Sequence, residues 1–281
     1  MNKNQIMFST GVFIDSSNNR DHTLIKKIMP DLITPCFEIL VSDYFADRHS
    51  EYEEHAKIIL QAKENGATFP VMHMNQRIGN IITRNEDGDI DNALKIFEFN
   101  CKYAAQFGAE LLVLHLWSGP VTDKSIEMNI NLFPKLKEIS DRYNLILTIE
   151  NVVCNAFKPL DLLKKLWGLY PTDVKFTIDV RHAEFHKSLI ETCESSFLWE
   201  NNLVHHLHIS DYAGGHMDWS KLRNNTPILH GDVDFDYFFS FINSIDYSGS
   251  ITIENNRISD NDDLVYNFNK AYEFVKERLN S

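Results

Sequence analysis

The sequence has few cysteines, glycines and prolines. Its four cysteines, Cys36, Cys101, Cys154 and Cys193, lie far apart in 281 residues and form no C-x-x-C pair. This spacing argues against a zinc ribbon, a thiol redox motif or a secreted disulfide framework, and it fits a reduced, cytoplasmic setting. With only 11 glycines and 8 prolines the chain is neither collagen-like nor of low complexity. Since 43% of its residues are hydrophobic, it can bury a large core.

Long apolar runs and a basic excess are also missing. No run reaches the ~18–20 apolar residues that a membrane helix requires, and the N-terminus does not resemble an export signal. The 27 Lys and Arg are outnumbered by 40 Asp and Glu, which gives a formal net charge of −13. Nucleic acid binds where clustered Lys and Arg release counterions, so it is not an expected partner. We expect a cytoplasmic protein with a small-molecule partner and no membrane association; the composition leaves the oligomeric state open.

Short apolar runs alternate with longer amphipathic segments along the whole chain. The runs predict eight strands, at 6–14, 36–41, 69–74, 111–117, 145–150, 174–180, 203–210 and 249–254. The segments between them predict helices at 22–29, 51–66, 89–108, 123–143, 159–168, 186–199, 234–244 and 260–279. Eight βα units without a linker predict an α/β fold, a single-domain (β/α)8 TIM barrel over residues 1–281. A doubly wound open sheet is the alternative, but it usually has a glycine-rich turn after its first strand, and residues 6–20 contain only Gly11.

Chemically reactive side chains close most of the predicted strands. In a TIM barrel the catalytic groups come from the C-terminal ends of the strands. Carboxylates at that depth need a counter-charge, but Lys175 begins its strand and Arg181 follows Asp179 by two residues. A divalent cation would supply the missing charge. The predicted metal ligands are Glu150, Asp179, His208 and Glu254.

The spacing of three of these ligands supports one common site. Glu150 precedes Asp179 by 29 residues, and Asp179 precedes His208 by 29 residues, about one βα unit each. Equal spacing predicts equivalent heights on neighbouring strands. Each residue alone has a simpler interpretation, as a helix cap or a core residue with its hydrogen bonds satisfied. Their repetition on successive strands favours the metal site.

Three residues near the predicted ligands have structural interpretations. Asp211 opens the loop after the seventh strand, where an aspartate commonly caps a turn. His205 must point to the strand face opposite His208, because successive side chains alternate. His206 shares the inward face but lies one layer lower, so we expect it in the core or supporting the metal ligands.

Five segments at the strand ends resemble those of a known family. LLVLHLWSG, LTIEN, FTIDVRHAEF, HHLHISD and SITIEN occur in the order and at the spacing typical of the xylose-isomerase-like barrels. That superfamily contains sugar and sugar-phosphate isomerases and epimerases as well as endonuclease-IV-type AP endonucleases. The resemblance covers the chain from the third strand onward. It implies a divalent metal on the four predicted ligands, with Glu150 and Glu254 also acting as acid and base in the epimerases.

One departure from the nuclease pattern lies between the seventh and eighth strands. Nucleases have an Asp-x-His pair there, whereas this chain has Arg223 and Asn225. His216 and Asp218 lie nearby and could substitute for that pair, so a third metal site is disfavoured but stays open. The resemblance also implies that His182 occupies a position that touches substrate in the epimerases and binds a further zinc in the nucleases.

Two histidines at the ends of the third and fourth strands support the alternative hypothesis of a nuclease. The resemblance implies that His73 and His115 match nuclease ligands, which form another metal site together with Glu150. Many isomerases also have a histidine at these positions, where it binds substrate hydroxyls. A binuclear centre is therefore an alternative to a single metal.

The sequence thus predicts a metal-dependent sugar or sugar-phosphate isomerase or epimerase. It would move a proton next to a carbonyl through a metal-stabilised enediolate, with Glu150 and Glu254 as catalytic acid and base. The predicted cofactor is Mn²⁺, Mg²⁺ or Co²⁺, or Zn²⁺ if His73 and His115 join the ligands. An endonuclease-IV-like phosphodiesterase acting on abasic DNA and a non-catalytic sugar-binding barrel are the alternatives.

Side chains around the metal are predicted to bind the sugar. Trp117 would offer an apolar wall to a sugar, or else pack against a helix. Glu38 would contact substrate from the second strand, or else form a salt bridge inside the barrel. The predicted substrate-binding residues are His73, His115, Trp117, His182 and Glu38.

Overall fold

A computed structural model describes residues 5–13, 24–41, 49–222, 226–254 and 264–279. Eight parallel strands close into a barrel in chain order, because β8 pairs with β1. The strands are β1 (Ile6–Ser9), β2 (Cys36–Leu40), β3 (Thr68–His73), β4 (Leu111–Leu114), β5 (Ile146–Glu150), β6 (Lys175–Asp179), β7 (Val204–Ile209) and β8 (Ser250–Ile253). The predicted (β/α)8 TIM barrel is confirmed.

Helices connect the strands on the outside of the barrel. They are α1 (Leu24–Ile28), α2 (His49–Glu64), α3 (Arg77–Arg84), α4 (Asp89–Phe107), α5 (Gly119–Thr122), α6 (Ile126–Arg142), α7 (Pro159–Leu169), α8 (Val180–Phe185), α9 (Leu189–Cys193), α10 (Ser196–Trp199), α11 (Trp219–Leu222), α12 (Phe235–Ser244) and α13 (Leu264–Leu279). Helix α4 agrees closely with the helix predicted at 89–108. Its buried residues Ala93, Phe97, Cys101 and Ala104 lie at helical spacing. It ends at Gly108, whose φ of 80° is the left-handed conformation that glycine adopts without strain.

Some predicted boundaries are wrong. The helix predicted at 186–199 is divided into α9 and α10, because Ser195 has an extended backbone between them. The first strand ends at Ser9, whose side chain accepts a hydrogen bond from Gly11 N and starts a 3₁₀ turn. Helix α3 has no counterpart in the predictions. Residues 14, 22–23 and 260–263 of predicted elements lie outside the described part of the chain.

The barrel interior has an apolar layer at the N-terminal end of the strands and a polar layer above it. Successive side chains of a strand point alternately into and out of the barrel, so Cys36 and Glu38, two residues apart, both point inward. Cys36 lies in the apolar layer and Glu38 lies above it. The apolar layer contains Met7, Cys36, Val71, Leu111 and Val113. The polar layer lies toward the C-terminal mouth, where the loops after the strands begin.

The strand register determines the heights of the predicted ligands. Asp179 pairs directly with His208, as their equal spacing predicts. Glu150 instead pairs with Thr177, two residues before Asp179, so its predicted equivalent height is wrong. Closing a barrel requires neighbouring strands to be staggered, which a count of residues between strands does not show.

No helix in the described ranges is long and apolar enough to cross a membrane.

Candidate active site

Glu150 lies at the centre of the polar layer with a histidine on each side of its carboxylate. It is the last residue of β5 and is 1% exposed. Its Oε2 lies 2.6 Å from His115 Nε2 and 3.3 Å from His73 Nε2. Its Oε1 lies 3.4 Å from both His182 Nδ1 and His208 Nδ1. The third to seventh strands thus converge on this one carboxylate.

Three of the four predicted metal ligands form one close group, and Glu150 lies beside them in close groups with other residues. Asp179, His208 and Glu254 each offer one ligand atom, and these atoms lie within 4.8 Å of one another. His208 Nδ1 lies 3.7 Å from Glu254 Oε1 as well as 3.4 Å from Glu150 Oε1. Ligands bound at ~2.0–2.6 Å to one ion can be no more than about 5 Å apart, so these distances are compatible with a shared cation.

Buried atoms without hydrogen bonds test whether a cation fits this cluster. Asp179 Oδ2 and His208 Nδ1 are buried and have no hydrogen-bond partner. A buried polar atom left in this state is costly, and such atoms usually indicate a missing water or ion. Because carboxylate oxygens and one imidazole nitrogen suit a divalent cation, the residues fit the predicted metal. That they bind one stays a prediction.

The backbone around Asp179 aims its carboxylate into the cluster. Asp179 Oδ1 caps α8 by accepting hydrogen bonds from the backbone N–H groups of Arg181 and His182, at 2.7 and 3.2 Å. Asn151 binds the backbone of Asp179 from the next strand, with its side chain accepting from Asp179 N and donating to Asp179 O. Only Oδ2 is left for a ligand.

Glu38 lies beneath the cluster and does not line the mouth. It is fully buried, and its Oε2 accepts hydrogen bonds from Thr252 Oγ1 at 2.6 Å and His206 Nε2 at 2.9 Å. His208 Nε2 lies 3.2 Å from the same oxygen. The prediction that Glu38 contacts substrate is therefore corrected: it forms the alternative salt bridge inside the barrel. His206, whose Nδ1 lies 2.6 Å from Ser250 Oγ, supports this network as expected.

Trp117 is a second predicted substrate-binding residue that the structure buries. It has no exposed surface, and its indole N–H donates to Val152 O at 2.8 Å. The alternative interpretation, a packing residue, describes it, and the predicted sugar-binding wall is corrected. The reason is that β4 ends at Leu114, so the alternation that places Trp117 beside His115 does not extend that far.

Asp211 caps the loop after β7, as expected. Its Oδ1 accepts from the N–H groups of Tyr212 and Val233, and its Oδ2 accepts from Gly231 N at 2.8 Å. His205 is half-buried on the strand face opposite His206 and His208.

Arg181 is the residue of the site that sequence reasoning missed. Its Nη2 lies 3.2 Å from His182 Nε2 and 3.7 Å from Asp179 Oδ2, and its Nη1 donates to Leu222 O at 3.0 Å. In the sequence Arg181 follows the last strand residue by two, a position from which its side chain is not expected to face the site. Since α8 begins at Val180, the chain turns here and brings the guanidinium beside the carboxylate. A helix start directly after Asp179 is the signal that would have found it.

The two glutamates have different acidities. Burial raises the pKa of Glu150, but the charges of His115 and His208 outweigh it and hold this pKa well below the usual range. Burial also raises the pKa of Glu254. The charge of His208 lowers this pKa, but the negative charges of Asp179 and Glu150 raise it further, so it stays above its ordinary value. Glu150 is therefore the more readily ionised carboxyl, and Glu254 holds a proton more readily.

His73 and His115 form a pair on the other side of Glu150. Their Nε2 atoms are 3.1 Å apart, and His73 Nδ1 donates to Met74 O at 3.0 Å. Burial lowers the pKa of His115 to about 4, despite the opposing charge of Glu150. Burial also lowers the pKa of His73, but its contact with Glu150 outweighs this and raises it overall. The pair can bind hydroxyl groups or share a second cation with Glu150.

The proposed substitutes for the nuclease pair are not assembled into a site. Among the described residues, neither His216 nor Asp218 belongs to a group that could hold a metal ion. Asp218 Oδ1 instead accepts from the backbone N–H and the hydroxyl of Ser220. Arg223 and Asn225 lie outside the described residues.

A closed (β/α)8 barrel with carboxylates and imidazoles converging at its mouth defines the class, a TIM-barrel protein with a strand-end site. Within that class the chain belongs to the xylose isomerase-like TIM barrel family, whose model matches residues 35–277. None of the curated proteins compared with this chain matches it.

Solved structures resemble the whole chain at low sequence identity. A D-tagatose 3-epimerase-like protein is 18% identical with a TM-score of 0.71, covering 98% of this chain and 97% of that one. The IOLI protein with a bound zinc atom is 13% identical, with a TM-score of 0.70 and coverage of 98% and 96%. D-psicose 3-epimerase with D-tagatose from Clostridium cellulolyticum H10 is 14% identical, with a TM-score of 0.68 and coverage of 98% and 99%. At these identities the resemblance shows the fold.

Proposed function

We propose that this protein is a divalent-metal-dependent sugar isomerase or epimerase that moves a proton on the carbon next to a carbonyl. One observation carries the proposal: two buried glutamates, Glu150 and Glu254, adjoin the same imidazole of His208 and have pKa values displaced in opposite directions. Such a pair suits removal and return of a proton. Membership of the xylose isomerase-like family supports it, and so does the likeness to proteins named as ketose 3-epimerases.

Glu150, Asp179, His208 and Glu254 would hold the cation, His208 through Nδ1. Three carboxylates and one imidazole suit Mn²⁺, Mg²⁺ or Co²⁺. When bound, the cation supplies positive charge next to the carbonyl oxygen, where negative charge develops in the reaction. Of the three solved structures reported above, the IOLI protein is the one whose description includes a metal, zinc.

The two glutamates divide the proton transfer. Glu150, the more acidic carboxyl, accepts the proton from the carbon, and the C–H electron pair enters a carbon–carbon double bond as the carbonyl oxygen becomes negative. Glu254 returns a proton to the carbon, and the oxygen re-forms the carbonyl. Return to the opposite face of the same carbon inverts it, which is epimerisation. In isomerisation the proton goes instead to the former carbonyl carbon, whose oxygen becomes a hydroxyl by taking the proton of the neighbouring hydroxyl, and that neighbouring oxygen becomes the carbonyl. The substrate would be a small sugar or sugar phosphate.

His73, His115 and His182 would orient the sugar hydroxyls. At neutral pH His115 is uncharged, because burial lowers its pKa to about 4, so its ring can both donate and accept a hydrogen bond. If metal analysis finds two cations for each chain, His73 and His115 would instead share the second with Glu150.

An abasic-DNA phosphodiesterase is the second candidate function. The convergence of His73 and His115 on Glu150 Oε2 favours it. The net charge of −13 opposes it, because a nuclease holds a duplex with one charge per ~1.7 Å on a basic surface. The separation of His216 and Asp218 from every metal-competent group in the described residues opposes it as well.

The test is a screen of ketoses and aldoses in D₂O with metal-loaded protein, read by NMR for loss of the proton next to the carbonyl. We expect exchange on a small set of ketoses. No exchange with any sugar, at full metal occupancy, would contradict the proposal.

A further inference from the structure

His182 meets a different kind of partner at each ring nitrogen. Its Nε2 lies 3.2 Å from Arg181 Nη2, and its Nδ1 lies 3.4 Å from both Glu150 Oε1 and Asp179 Oδ2. The residues His182 and Arg181 are 5% and 8% exposed, so water does not readily replace either contact.

The chemistry of arginine decides which nitrogen of His182 carries the proton. A guanidinium has only donors and stays charged in proteins, so a hydrogen bond to it requires a lone pair on His182 Nε2. A neutral imidazole with its lone pair on Nε2 has its proton on Nδ1. The Nδ1–H group then faces the carboxylates of Glu150 and Asp179.

We infer that Arg181 is a positioning residue that holds His182 in the Nδ1–H form. In this form His182 donates a hydrogen bond into the site through Nδ1 and offers no lone pair there to a metal. Glu150, Asp179 and His182 are close enough to bind a cation together, so Arg181 decides whether His182 acts as a donor or as a ligand. What His182 donates to in catalysis rests on the proposed function; the position of its proton does not.

The neighbouring His208 has the opposite arrangement. Its Nε2 faces an acceptor, Glu38 Oε2, at 3.2 Å. When the His208 ring is neutral, that partner keeps its proton on Nε2 and leaves the Nδ1 lone pair facing Glu150 and Glu254. Two histidines of one site are thus set for opposite roles, His208 as a metal ligand and His182 as a hydrogen-bond donor.

Arg181 is held once at its guanidinium and once at its backbone. Arg181 Nη1 donates to Leu222 O at 3.0 Å, so α11 holds one end of the side chain. Its backbone N–H is bound to Asp179 Oδ1 at 2.7 Å, in the cap of α8. The bond to Leu222 restrains the guanidinium beside His182, and neither contact involves a substrate.

The experiment is ¹⁵N NMR of the histidine rings in the full-length, metal-free protein at neutral pH, because ring-nitrogen shifts distinguish protonated from unprotonated nitrogens. The His182 signals are assigned by their loss in His182→Gln. In the wild-type protein we expect the proton on Nδ1 and none on Nε2. A proton on Nε2, alone or together with one on Nδ1, would overturn the inference.

Two variants extend the test. Arg181→Met removes the donor at similar length and should move the proton to Nε2, whereas Arg181→Lys keeps a donor and should retain Nδ1–H. An unchanged proton position in folded Arg181→Met would overturn the inference. If that variant does not fold, the wild-type and Arg181→Lys spectra still decide.

Kinetics separate this inference from the proposed function. On a sugar that the wild-type enzyme turns over, Arg181→Met should lower kcat/KM about 5- to 10-fold, the loss of one hydrogen bond, and Arg181→Lys should recover most of it. Equal losses in both would contradict a positioning role. If no sugar is turned over by the wild type, the proposed function fails, whereas the ¹⁵N spectra still test Arg181.

Discussion

Glu38 Oε2 lies 3.2 Å from His208 Nε2, and it joins strands β2 and β7 across the interior of the barrel. Burial raises the pKa of Glu38, but the charge and hydrogen bonds of His208 and His206 outweigh it and hold this pKa well below its ordinary value. An ionised acceptor at this place orients the His208 ring with Nδ1 toward Glu150 and Glu254. The pair therefore prepares one ligand before any cation arrives.

The first prediction concerns this contact. Glu38→Gln removes the charge and should weaken binding of a divalent cation about 10- to 100-fold, as loss of a partner behind a metal ligand usually does. The measurement is a Mn²⁺ titration of protein shown to be folded by circular dichroism. His205→Gln, on the outward face of β7, is the control and should bind Mn²⁺ like the wild type. Equal affinity in Glu38→Gln would show that Glu38 does not act through His208.

The second prediction separates binding from chemistry. Glu254→Gln should keep the fold and much of the sugar binding but lose proton transfer by several orders of magnitude, because the amide cannot exchange the proton. Turnover and sugar affinity are measured at matched metal occupancy. His205→Gln should leave both nearly intact, and similar losses in the two variants would refute the assignment of inward and outward faces.

The third prediction concerns the loop after β7. In Asp211→Asn one carboxylate oxygen becomes an amide N–H₂ group, which cannot accept a hydrogen bond. If it replaces Oδ2, the N–H of Gly231 loses its acceptor; if it replaces Oδ1, the N–H groups of Tyr212 and Val233 lose theirs. We expect a loss of about 2 to 3 kcal/mol in the free energy of unfolding, measured in urea. The exposed neighbour Asp232→Asn should change it little. A loss confined to activity would contradict a capping role.

The fourth prediction is a pH dependence of stability. Hydrogen bonds from Arg84, with a smaller contribution from Glu86 N, lower the pKa of Asp89 to about 2, at the start of α4. Because this pKa is below the unfolded value of ~3.9, the stabilisation is complete above pH ~4 and is lost as the pH falls toward 2.

The stability difference between wild type and Asp89→Asn should therefore be constant from pH 7 to about 5 and shrink below 4. Urea unfolding over this pH range measures it, with Asp87→Asn as the exposed control. A difference that grows on acidification would have the wrong sign.

The sequence predicts the barrel and the upper ring of its side chains well. Strand alternation places His73, His115, Glu150 and Asp179 at strand ends, and the strands close in chain order as eight βα units require. Local periodicity is sufficient there because each strand carries its own signal.

The supporting contacts could not be predicted in the same way. Glu38 is 170 residues from His208 in the chain, so no local pattern joins them. Trp117 and Arg181 both lie just beyond a strand end, where alternation stops and the local turn decides the direction of the side chain. The stagger that lowers Glu150 relative to Asp179 is likewise a property of the closed barrel.

The central claim is that Glu150 and Glu254, with a divalent cation, move a proton on a sugar. The most direct measurement is deuterium uptake from D₂O at the carbon next to the carbonyl of a ketose, run beside incision of a duplex with an abasic site. Our account predicts uptake that stops on chelation, returns with Mn²⁺ and is lost in Glu150→Gln, with no useful incision. Efficient incision that disappears in Glu150→Gln, together with no uptake on any sugar, would contradict it.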